Sequence, residues 1–160
     1  VKRAGDGRAL SAEAEVAKQL QTWWREREPD CVFAKASETL RPGFRPKGNV
    51  VTTARRFPFA VVVRNQPGWT VERLSSGEPC TVWEWWAQAL DEALELGIEP
   101  MLWFTMNGEP WRVLVREVFL PRGSEVFGRW RVDQLDFCPE SEWPVCLDGS
   151  VLSTAPSDWI

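Results

Sequence analysis

The side chains best suited to phosphate oxygens crowd into one stretch of this chain. Lys35, Arg41, Arg45, Lys47, Arg55, Arg56 and Arg64 stand between positions 35 and 64 against Glu38 alone, a net +6. Residues 1–34 balance six basic against six acidic groups, and residues 65–160 set six against sixteen, which recovers the overall −4. A locally basic segment can still make a phosphate-binding face on an acidic protein, because binding follows the local field rather than the total. The alternative is that these side chains are solvated loop and edge residues. The chain has no histidine, which removes the commonest general base, Ser-His and Cys-His nucleophile pairs, and any His-ligated metal. Its four cysteines, Cys31, Cys80, Cys138 and Cys146, are widely spaced and form no CxxC, so they read as buried free thiols rather than zinc ligands.

The elements that must position these groups can be read from periodicity. Ser11 can cap a helix running to about Arg27, in which Val16, Leu20 and Trp23 or Trp24 recur at helical spacing. On it Glu13 falls with Ala17 and Leu20 on the apolar side, where first-turn amides and the helix dipole favour a carboxylate. Cys31–Ala36, Asn49–Thr53 and Phe57–Arg64 read as strands. The run Val61-Val62-Val63 suits a strand covered on both faces. A second helix opens at Thr81-Val82-Trp83-Glu84, a capping-box pattern that makes Glu84 structural, and ends near Gly97. Its expected apolar stripe is Trp85, Trp86, Ala89, Leu90, Ala93 and Leu94, with Asp91, Glu92 and Glu95 facing water. Two strands joined at Asn107-Gly108 follow, with an edge strand expected at Phe127–Val132. The order is α-β-β-β-α-β-β. At 160 residues and 44% hydrophobic content this is one soluble domain over 1–138, followed by an acidic tail over 139–160, docked or partly disordered. The apolar runs fall far short of the roughly 18 residues of a membrane span, and the N-terminus has no apolar signal segment, so the expectation is a cytoplasmic protein.

In this order stand Glu13, Gly48-Asn49-Val50, Phe57-Pro58-Phe59-Ala60-Val61-Val62-Val63-Arg64-Asn65, Trp83-Glu84-Trp85-Trp86-Ala87-Gln88, Pro100-Met101-Leu102-Trp103-Phe104 and Pro110-Trp111. The arrangement, from about Ser11 to Glu117, resembles the Holliday-junction-resolvase-like branch of the PD-(D/E)XK nucleases found in tailed bacteriophages. That family has an early helical glutamate, a G-D-V strand, FPF-x-V-E-x-K-N, a W-x-WW-x-Q helix, and a P-L-L-x-F hairpin ending in P-W. The resemblance implies a restriction-endonuclease-like α/β fold with a mixed central sheet flanked by helices. It also implies a Mg²⁺ held by carboxylates, with a metal and a lysine offsetting charge on phosphorus.

The departures fall on the reactive positions. Asn49 offers a neutral oxygen without charge, and Val62 offers neither. Arg64 keeps positive charge but practically never deprotonates, so it cannot act as a base. Glu13 alone of the four positions remains, too little for a hard-cation site. The resulting expectation is a pseudo-nuclease without active catalytic residues or cofactor. Such a protein binds duplex or branched DNA by structure rather than sequence through Lys35, Arg41, Arg45, Lys47, Arg55, Arg56 and Arg64. One alternative is a protein-interaction module using a Trp-rich surface or the acidic tail on a phage or host partner. Another is an active nuclease using Mg²⁺ at acids that have migrated, with Glu72 or Asp91 as candidates. The relatives' two-fold symmetric substrates make a homodimer possible, and no membrane partner is expected.

Overall fold

The computed structural model describes residues 11–36, 50–76, 78, 80–116, 128–129 and 144–149. Its first helix, α1 (Ala12–Trp24), starts where expected: Ser11 is extended and its Oγ accepts the Ala14 amide at 3.2 Å. It stops earlier than the expected Arg27. The Trp24 carbonyl accepts both the Arg27 and Glu28 amides, which tightens the last turn, and Pro29 then bars the helix from continuing.

Strands β1 (Phe33–Lys35), β2 (Val50–Thr52), β3 (Phe59–Asn65), β4 (Glu99–Thr105), β5 (Arg112–Arg116), β6 (Gly128–Arg129) and β7 (Pro144–Asp148) form one seven-stranded sheet. Its order is β1-β2-β3-β4-β5-β7-β6, in which β3 and β4 run parallel and the other described pairs antiparallel. The parallel pair needs a crossover, supplied by a short helix α2 (Val71–Ser76) and the long α3 (Thr81–Leu96). The mixed sheet with helices on both faces is the expected α/β architecture. α2 and β7 were not expected, whereas β6 lies at the sheet edge within the segment read as an edge strand. β7 falls inside the stretch read as an acidic tail, yet it pairs with β5 from Arg112↔Asp148 to Arg116↔Pro144.

Alternation along β3 divides the core. Phe59, Val61 and Val63 join the α1 side with Val16, Leu20, Trp24, Met101 and Trp103, while Val62 joins the α3 side with Trp69, Leu74, Trp86, Leu102 and Phe104. The Val61–Val63 run is therefore buried from both faces, as its composition predicts.

Three expectations for α3 are corrected. The reciprocal cap does not form, because Cys80 is the N-cap without a side-chain bond and Thr81 is already helical, its hydroxyl donating to the Gly68 carbonyl at 3.4 Å. Glu84 is accordingly exposed rather than capping. Leu94 is 82% exposed, while Val82 and Trp83 take up the buried stripe. Glu92 does not simply face water: its Oε2 is buried. The helix does end at Gly97, which is left-handed at φ 70°, with the Ile98 amide returning to Ala93 O.

Candidate functional site

Position 64 is the polar end of the β3 face that carries Val62. From there the Arg64 guanidinium crosses to α3 and donates to Gln88 Oε1 at 2.7 Å, while its other terminal nitrogen donates to Val63 O at 2.8 Å. Glu92, one turn beyond Gln88, is close enough for its charge to act on Arg64, and so is Glu13 at the start of α1. Burial pulls the Arg64 guanidinium below its ordinary value, and the two carboxylates partly offset that pull. The group stays charged at any physiological pH. The structure thus gathers Glu13 and Arg64 of the expected residues, and adds Gln88 and Glu92 to them.

Val62 is wholly buried, level with Leu102 in the ladder and enclosed by the α3-side tryptophans. Asn49 lies outside the described residues, as do Arg41, Arg45 and Lys47. The described residues do not fit a divalent cation. At the second strand position an aliphatic side chain sits in a closed apolar cluster, a guanidinium occupies the next position on the same face, and no group of three or more potential ligands occurs among the described residues. Glu72 on α2 and Asp91 on α3 are both exposed, and neither belongs to such a group.

The described cations of the basic segment, Lys35, Arg55, Arg56 and Arg64, do not gather on one face. Lys35 ends β1 level with Val50 and, through it, Val61, and it borders α1 on the opposite side of the sheet from the Arg64 contact with α3. Arg55 and Arg56 precede the far end of β3, roughly 17–20 Å of strand away from Arg64. Their backbone amides are bound by Glu28, whose Oε1 accepts from Arg55 at 2.9 Å and whose Oε2 accepts from Arg56 at 3.1 Å and from Trp24 Nε1 at 2.8 Å. Burial would raise the Glu28 carboxyl, but these three bonds and the Arg56 charge outweigh it and hold the group below its ordinary value.

Register reveals one more cation. Arg64 pairs with Phe104, and Phe104 with Arg112, so two arginines flank Phe104 in a single row on the α3 side. Arg112 is 9% exposed. Sequence reading passes over it because a lone arginine in a strand carries no signal of its row. Gln88 was within reach, since it is the polar terminus of the Trp83–Gln88 motif. Most described tryptophans make no surface: Trp23, Trp24, Trp69, Trp83, Trp85, Trp86 and Trp103 are buried, and Trp111 is partly buried. Burial also raises the Cys31 and Cys80 thiols, which disfavours a thiolate nucleophile at either.

Residues 8–124 match the family described as phage putative PDDEXK endonuclease. The chain belongs to that family. Among solved structures it is similar to Hjc, a Holliday junction resolvase from the archaeal hyperthermophile Archaeoglobus fulgidus. The identity there is 12%, with 89% of this chain and 92% of that chain covered and a TM-score of 0.36. Among curated proteins nothing matches. Val62 and Arg64, which the sequence resemblance puts at the acid and lysine positions of the second strand, lie two residues apart on β3. The arrangement at these two positions is a hydrogen-bonded guanidinium beside a closed apolar core. No described helix is long and apolar enough to cross a membrane.

Proposed function

We propose that this protein is a non-cleaving member of the phage PDDEXK family that binds the backbone of duplex or branched DNA. Val62 carries the reading. A position that needs a carboxylate for metal-assisted hydrolysis is held by a fully buried aliphatic side chain within an apolar cluster, where an unpaired charge would be costly. Arg64 supports it, because its guanidinium is committed to Gln88 within the protein. The family's ancestral partner gives the cationic surface its natural ligand, and phosphate contacts of this kind position DNA without reading its sequence. Structure-selective binding without a metal cofactor, by a homodimer or a monomer, follows as part of the same proposal.

The test is an anisotropy titration against duplex, single-stranded and four-way-junction DNA, run beside a cleavage assay with Mg²⁺ or Mn²⁺. We expect binding that weakens steeply with salt, as released counterions require, and intact DNA in every lane. Metal-dependent turnover by contaminant-free protein overturns the non-cleaving half of the proposal; no affinity for any of the three DNAs overturns the other.

A further inference from the structure

Between α1 and the outermost strand β1 lies an open groove of about 390 Å³. Ala14 and Ala17 border it from the helix, and Lys18, Gln21, Arg25 and Lys35 supply its polar lining. No acidic residue is among the described residues that line it. That is unusual in a chain of net charge −4, and the arrangement of the neighbouring acids explains it. Glu15 turns away to accept from the Trp111 indole at 3.3 Å, and Glu28 is fastened to Trp24 and the Arg55 and Arg56 amides. Glu26 and Asp30 are exposed outside the lining. The Gln21 carbonyl is also engaged, accepting the Phe33 amide at 3.0 Å, so that side chain has its NH₂ donors left for a ligand.

We propose that this groove, rather than the Arg64 end of β3, is the face on which a DNA phosphate backbone docks. The inference rests on the reading of the chain as a DNA-binding protein and assigns the surface that does it. Lys18 and Arg25 stand two helical turns apart on one side of α1, about 10.5 Å along its axis. Long, flexible cationic side chains at that spacing can each reach a different phosphate of one strand. The small side chain of Ala14 lets a backbone approach the helix closely, and Lys35 lines the groove from the sheet edge. Arg64 does not belong to this surface, since it contacts α3 on the other side of the sheet. Neither do Arg55 and Arg56, which do not line the groove.

Single charge reversals at Lys18, Arg25 and Lys35 are compared by anisotropy on labelled duplex DNA over a range of salt. Each is expected to weaken binding about tenfold and to reduce the magnitude of the log-log salt slope by about 1. Arg73→Glu, on α2 against the opposite core cluster, is expected to stay within about twofold of wild type. Circular dichroism of each variant checks folding, and the milder Lys18→Gln/Arg25→Gln pair replaces any variant that fails it. Wild-type affinity in the groove variants, with wild-type protein binding DNA, overturns the groove and leaves the DNA-binding reading in place. Wild-type protein that binds RNA or an acidic protein but no DNA overturns both.

Discussion

Glu28 joins the end of α1 to the turn before β3, and its depressed carboxyl makes the joint sensitive to acid. A group whose folded-state value lies below its unfolded one contributes stability above the unfolded value and loses it as pH falls through the folded value. Glu28→Gln should therefore cost about 1 kcal/mol at neutral pH, discounted for partial exposure. The wild-type and variant melting temperatures should converge as pH drops through the carboxylate range, measured by thermal denaturation at a series of pH values. Val62 allows a sharper test. Val62→Glu puts an unpaired carboxylate into a closed cluster at a cost of roughly 3–5 kcal/mol, about 10 °C in melting temperature for a domain of this size. A drop of only a degree or two would mean the site has room and water that the packing around Trp86 and Leu102 denies. At this scale the shared face of Val62 and Arg64 was legible, because alternation along a strand fixes which residues lie on one side. The pairings were not: that Gln88 and Glu92 act on Arg64, and that Glu28 binds the Arg55 amide, is fixed only once the chain has folded, and sequence distance conceals such pairs.

The crossover between β3 and α3 turns at Gly68, which has φ 106°, and a Cβ there would lie 2.9 Å from Thr81 Oγ1. Gly97 has a φ of 70° but open space around it. Gly68→Ala should thus lose about 2 kcal/mol and Gly97→Ala about 1 kcal/mol in denaturant unfolding. Equal losses would show that the Thr81 contact yields without cost. The periodic elements were read with approximately correct bounds because burial on one side writes itself into helical or alternating spacing. The failures have equally physical origins. Thr81 and Glu84 have the types and spacing of a reciprocal cap, but the cap geometry begins one residue earlier, at Cys80. Pro144–Asp148 shows no alternation to betray a strand, since Val145 and Leu147 face the α1 side while Cys146 faces the α3 side, and all three are buried.

For the molecule as a whole, β7 is a structural member of the sheet. A chain ending at residue 143 loses Val145, Cys146 and Leu147 from the two core clusters and leaves β5 without its outer partner. It should show no cooperative unfolding transition, with calorimetry as the readout. A sharp transition near that of the full chain would show that the first five strands suffice. The same topology sets an order of events during synthesis. β6 is made before β7 but pairs with β7 alone, and β5 takes β7 as its neighbour on that side. On the ribosome, β5 must therefore wait with an unsatisfied backbone edge while roughly thirty further residues emerge, a delay of some seconds at ordinary elongation rates. Throughout that interval the nascent sheet offers an open ladder to any neighbouring chain, and the arrival of β7 pairs it.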